Sequence, residues 1–130
     1  MAIKILTKEH VDAFKKFGRQ DGDDAKVILK LFLPSHNFYW FITEYDPETG
    51  IGFGFANLND PQCAEMGDID LYELVNLRRR TPVDRSTPLT EVKVGGPDCP
   101  IGVERDIHFK IGSWTIGDVA EAIKSGKRVH

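Results

Sequence analysis

Lys30–Gly54, KLFLPSHNFYWFITEYDPETGIGFG, is the stretch whose reading decides the fold. Phe38–Tyr45 alternates bulky apolar or aromatic residues with less apolar ones, a pattern suited to a half-buried pleated surface. Asp46-Pro47-Glu48-Thr49-Gly50 then supplies turn chemistry. Pro47 presets φ, Asp46 accepts nearby backbone N–H groups, and Gly50 tolerates positive φ. Ile51–Ala56 resumes with period two, Ile51, Phe53 and Phe55 on one face and glycines on the other. The stretch is therefore a β-hairpin. Glycine weakens a strand unless another group approaches closely. The face over Gly52 and Gly54 is read as covered by a packed helix, with an open groove as the alternative.

Working outward, Lys26–Leu33 is a preceding strand, and Met1–Leu6 is a short apolar lead. Thr7 is placed to cap a helix over Lys8–Phe17, with Val11, Phe14 and Phe17 at helical spacing and Gly18 just past its end. Downstream, Asn57–Gly67 reads as irregular, and Asp68–Leu71 as a short strand or extended entry. Asp70 is an N-cap for a helix Leu71–Arg78, Glu73 completing a reciprocal capping box. Arg78, Arg79 and Arg80 finish that helix, where cations complement its C-terminal dipole. Thr81–Pro100, with four prolines and the Gly95-Gly96 pair, reads as the least structured segment, apart from a short strand at Thr90–Val94. A connection this long is usually functional or mobile. Gly102–Ile111 alternates as a clear strand. Thr115 caps a last helix, Ile116–Ser125, with Asp118 closing its box and Gly126 ending it.

Strands cluster and no βαβ rhythm repeats, so the expected class is α+β, a mainly antiparallel sheet of about four to five strands with three helices packed on it. At 130 residues the chain is expected to form a single domain, 1–130, with a long loop at 81–100. Formal net charge is −3, which gives no bulk electrostatic drive toward nucleic acid or an anionic membrane. No apolar run reaches spanning length and Met1–His10 has no signal-peptide pattern, so no membrane is expected and the cytoplasm is the default location. Cys63 and Cys99 match neither a disulfide framework nor a zinc spacing, and are read as free thiols in a reducing compartment.

Three ordered blocks carry a resemblance. They are Lys30-Leu31-Phe32-x-Pro34 with Trp40, Thr43-Glu44-x-Asp46-Pro47-Glu48-x-Gly50 and Phe53-Gly54; then Gly67 with Asp70-Leu71-x-Glu73-Leu74-x-x-Leu77-Arg78; then Gly102-Val103-Glu104-Arg105-Asp106-x-His108-Phe109. Together they resemble the family catalogued as domain of unknown function 2958. The likeness runs from about residue 26 to 125. It implies an accessory role on phages, plasmids and other mobile elements, where such proteins tend to occur. The connection Arg79–Pro100 is longer than that resemblance leads one to expect, so a site beside it is expected to be reshaped.

Two sets of residues are candidates for chemistry. Glu44, Asp46 and Glu48 on the hairpin, with Glu104, Asp106 and His108 on the late strand, have the ligand types for a hard cation such as Mg²⁺ or Mn²⁺, and Glu104, Asp106 and His108 the types for acid–base work. A solvated polar face is the plainer account of them. Arg105 stands on the apolar side of its strand and calls for a carboxylate, Glu44 or Asp70. Arg78, Arg79 and Arg80, with Arg85 beyond, form the basic cluster and are set, with Arg105, as partner-binding residues. Cys99 has no histidine or helix N-terminus beside it in sequence, which argues against a catalytic thiol. With no phosphate loop, HExxH or serine-hydrolase signature, the leading expectation is a non-enzymatic protein that binds a host or element-encoded protein and needs no cofactor. The alternative is a metal-dependent hydrolase of a nucleotide or nucleic acid. Direct nucleic-acid binding through the arginines is a third reading, not favoured.

Overall fold

The computed structural model describes residues 3–34, 36–58, 65–95 and 102–127. In chain order its elements are β1 (Ile3–Lys4), α1 (Lys8–Phe17), β2 (Leu29–Leu33), β3 (Phe38–Asp46), β4 (Ile51–Leu58), β5 (Glu65–Asp70), α2 (Leu71–Asn76), a 3-10 turn (Leu89–Glu91), β6 (Lys93–Val94), β7 (Glu104–Arg105) and α3 (Ile116–Lys124). Five strands form one sheet in the order β5-β4-β3-β2-β7, every pair antiparallel, and β1 with β6 forms a separate two-stranded ribbon. The chain is α+β, as expected.

The central hairpin is present as read. Its strands pair from Phe38–Leu58 down to Asp46–Ile51, with one irregularity between Ile42 and Glu44. There Thr43 is the extra residue of a β-bulge; it is fully buried and its hydroxyl donates to the Phe53 carbonyl at 3.1 Å. The bulge explains the strand glycines. A Cβ on Gly54 would run into the Phe41 carbonyl and lie 2.8 Å from Ile42 Cα. The close neighbour is thus the backbone of β3 itself, not a helix. Helices do cover that face more broadly, and Gly52 borders an open depression that Phe14 and Tyr45 also line.

Alternation assigns each sheet residue to a face. One face carries Leu29, Leu31, Leu33, Trp40, Ile42 and Ile69, packed with Phe14 of α1, with Leu71, Tyr72, Leu74 and Val75 of α2, and with Ile5, Val92 and Val94 of the ribbon. The opposite face carries Phe41 and Phe55, which pack with Ile116, Val119 and Ala122 of α3 and with Phe109. The sheet is therefore buried on both sides, and this is why β2 and β3 read as nearly continuous apolar runs.

Capping accounts for the helix boundaries. Thr7 accepts the His10 N–H at 3.3 Å and its own N–H donates to His10 Nδ1 at 3.1 Å, a capping box closed by histidine. Thr115 and Asp118 make the same reciprocal pair on α3. Three expectations are corrected. Glu73 does not reciprocate on α2; Asp70 alone accepts the Tyr72 and Glu73 N–H groups. That helix stops at Asn76, because Leu77 is extended and Arg78 takes a left-handed φ of 58°. The strand over Gly102–Ile111 shrinks to two residues, because Asp106 accepts the His108 N–H at 2.9 Å and turns the chain.

The segment after α2 is also more ordered than its composition implies. Asn76 exchanges two hydrogen bonds with Val83, donating to its carbonyl at 3.2 Å and accepting its N–H at 2.7 Å. Tyr72 donates to the Thr87 carbonyl at 2.7 Å, and Arg85 ion-pairs with Asp70 while lying 5.3 Å over the Tyr72 ring. These contacts strap residues 83–87 to α2. Asn59-Asp60-Pro61, Cys63, the Gly96–Pro100 part of the loop and Cys99 lie outside the described residues.

Candidate interaction surface

The sequence-predicted metal set does not assemble. Phe32 of β2 pairs with both Glu104 and Tyr39, so Glu104 lies two strands from β3 and level with Tyr39. Glu44 sits five positions farther along β3, about 17 Å at strand rise. Asp106 is committed to Lys30, whose Nζ donates to Oδ2 at 2.9 Å and lies 5.4 Å from the Tyr39 ring. His108 is exposed beyond the turn. Among the described residues no three His, Cys, Asp or Glu side chains converge as a bound ion would need.

The arginines are placed differently from one another. Arg78 donates to His36 Nε2 at 2.8 Å. Arg79 is a tie, donating to the Thr81 and Lys93 carbonyls, each at 2.9 Å. Arg80 is exposed. Arg105 pairs with neither carboxylate expected of it, since Asp70 is taken by Arg85 and Glu44 lies along β3; its Nε donates to the Lys4 carbonyl at 2.9 Å.

Those last contacts bring together residues that are remote in sequence. Ile3 pairs with Val94 and Lys4 with Lys93. Ile5 N–H donates to the Val92 carbonyl at 2.9 Å, so Lys4–Lys93 is the intervening wide pair, whose backbone groups point outward and whose side chains stand closest together. Arg105 takes the outward carbonyl on one edge of the ribbon and Arg79 the outward carbonyl on the other. Ile5, Val92 and Val94 face the core, which leaves Lys4 and Lys93 exposed on the outer face. Four cations thus surround a two-residue ribbon, and among the described residues none of them is ion-paired. A carboxylate, Glu104, stands at the ribbon's end, where a Cβ on Gly95 would press against it. Sequence reading reached Arg79 and Arg105 but missed Lys4 and Lys93, because only the pairing of β1 with β6 makes them neighbours.

His10 lies inside this region. Burial first, and the Arg105 charge second, push its imidazole down from 6.5 to about 4. It is therefore neutral at pH 7, with Nδ1 accepting from Thr7. Because the folded value lies below the unfolded one, the unfolded chain binds the proton first, and stability falls as pH drops from about 6.5 towards 4. Thermal melts across that window are expected to show this decline in the wild type and to flatten in His10→Gln. Parallel pH profiles for the two proteins would count against it.

Fold and surface together define a small α+β sheet protein with a cationic ribbon beside one sheet edge. The chain belongs to the family described as "Protein of unknown function (DUF2958)", whose model matches residues 4–129. No curated protein and no solved structure matches it. Among the described residues no helix is long and apolar enough to cross a membrane.

Proposed function

We propose that this chain is a non-enzymatic binding protein whose ribbon surface engages an acidic patch on a protein partner, encoded by a host or by the mobile element that carries the chain. The observation that supports the reading most is the four-cation constellation of Lys4, Lys93, Arg79 and Arg105, none ion-paired among the described residues. Arg79 and Arg105 are held by backbone carbonyls, so they meet a carboxylate with little further ordering, which favours binding. A protein partner fits better than a phosphate backbone for two reasons. Net charge is −3, and Glu104 stands beside the ribbon's end where a continuous polyanion would pass. The mobile-element setting rests on the sequence resemblance alone.

Affinity capture from a host lysate, with and without nuclease, tests the proposal. The expected result is one dominant acidic protein retained after nuclease. The double variant Lys4→Glu/Lys93→Glu is expected to weaken its capture about tenfold, chiefly through slower association at low salt. Capture that vanishes on nuclease treatment would transfer the ribbon to nucleic acid. Capture indifferent to the double variant would remove the ribbon from the interface.

A further inference from the structure

A second surface, independent of the ribbon, lies on the sheet face that carries α3. α3 covers Phe41 and Phe55 there, but the face continues beyond it. In the next rows across the sheet, Phe53 of β4 stands between Glu44 of β3 and Asp68 of β5, and Ile51 follows it along β4, paired with Asp46. Met66 sits in the Phe55 row on β5. Phe53 belongs to neither core cluster, and Ile51 and Met66 are 38% and 36% exposed. The result is an apolar strip along β4 flanked by Glu44 and Asp46 on one side and Asp68 on the other. It borders an open depression of about 270 Å³ that Phe14, Gly18, Arg19 and Tyr45 also line. Arg19, the cation in that lining, is set toward Asp21 at 4.0 Å.

We propose that this strip docks a basic amphipathic helix of a partner protein. The flanking strands are two inter-strand spacings apart, about 9.6 Å, which matches the width of a helix with its side chains. A helix laid along β4 sets its apolar stripe on Ile51 and Phe53, and lysines or arginines on its two shoulders reach Glu44 and Asp46 on one side and Asp68 on the other. α3 already packs on the adjoining part of the same face, so the sheet's twist accepts a helix there. Charge selects the occupant. A two-fold pairing of this face with a second copy would bring Glu44, Asp46 and Asp68 against themselves, and an acidic helix would meet the same repulsion. With the ribbon on the other flank, the protein has one surface for an acidic partner and one for a basic partner.

The probe is a synthetic helical peptide with leucines at i, i+3, i+4, i+7 spacing and lysines flanking them. Its controls are a scrambled peptide of identical composition and one with glutamate in place of every lysine. Binding is read by fluorescence anisotropy, and its location by amide chemical-shift changes. The lysine–leucine helix is expected to bind with shifts centred on Ile51, Phe53, Met66 and Asp68, and both controls to bind at least about tenfold more weakly. Glu44→Lys/Asp68→Lys, which changes surface charge only, is expected to lose about tenfold in affinity, and Lys4→Glu/Lys93→Glu to lose none. Equal binding of the scrambled peptide, shifts elsewhere, no binding, or indifference to Glu44→Lys/Asp68→Lys would overturn the proposal. Self-association of the free protein that Glu44→Lys/Asp68→Lys abolishes would overturn it in favour of a second copy. Failure at the ribbon leaves this test standing, and the converse holds.

Discussion

Gly54→Ala is expected to destabilise the protein by at least about 3 kcal/mol, and Gly67→Ala, at the position paired with it, by less than about 0.5 kcal/mol. Both glycines lie in the same row of the sheet, so strand propensity is nearly the same for each. They differ in what a methyl group meets. At Gly67 nothing lies within 4 Å, whereas at Gly54 the new carbon meets the Phe41 carbonyl and Ile42 Cα. Those are backbone atoms held on both sides by strand pairing, and they cannot swing aside as a flexible side chain does. Relief would require undoing the Thr43 bulge and with it the hydroxyl bond to Phe53. Urea unfolding of the two variants checks the contrast. Similar midpoints for both would show that the bulge yields easily.

Asp106→Ala is the other substitution with a large expected effect, a loss of about 3 kcal/mol, or roughly 10 °C in Tm for a domain of this size. Lys30 is only 8% exposed and lies on β2, between β3 and the edge strand β7, with Asp106 at 2.9 Å. Removing the carboxylate takes from a buried ammonium the acceptor it holds at 2.9 Å, which costs more than the pair contributes when intact. It also removes the acceptor that turns the chain at His108. Asp106→Asn keeps an acceptor for that turn while discarding the charge, and is expected to lose about half as much. Lys30→Met, which removes the charge that needs compensating, is expected to fall below Asp106→Ala in cost. Burial alone would raise the Asp106 carboxyl, but the Lys30 hydrogen bond, the His108 N–H and the Lys30 charge outweigh it and hold the group below its ordinary 3.8. Its contribution is therefore complete above that pH and disappears as pH falls through the lower folded value. Equal stabilities for Asp106→Ala and Asp106→Asn would mean that the charge, and not the turn, carries the effect.

How far the sequence could be read depended on the range over which each signal acts. Caps and turns are local, and Thr7, Asp70, Thr115 and the Asp46–Gly50 turn were legible from their own neighbourhoods. The hairpin was legible because alternation persists through both its strands. Errors arose where a distant partner overrode a local pattern. Gly102–Ile111 alternates like a strand, yet Asp106 is engaged by Lys30 and by the His108 N–H, and the chain turns. Arg105 was rightly singled out as a charge on an apolar side, but its partner is a carbonyl in β1, which no spacing rule identifies. Residues 81–95 looked loose because their composition is that of a loop; Asn76, Tyr72 and Arg79 supply the order from outside it. The cationic ribbon suffered most, since two of its four cations belong to strands too short to announce themselves.

The ribbon has a consequence for synthesis. Lys4 leaves the ribosome well before the groups that position its strand, which arrive with Lys93 and then with Arg105, 101 residues later. At about 5–20 residues per second, the first strand waits on the order of 5–20 s for its counterpart. A chain terminated before Lys93 contains the residues of the central hairpin but not the full set of the cationic surface. Recognition by an acidic partner would then be confined to chains whose translation has passed Arg105, so fragments would not compete with the finished protein for that partner.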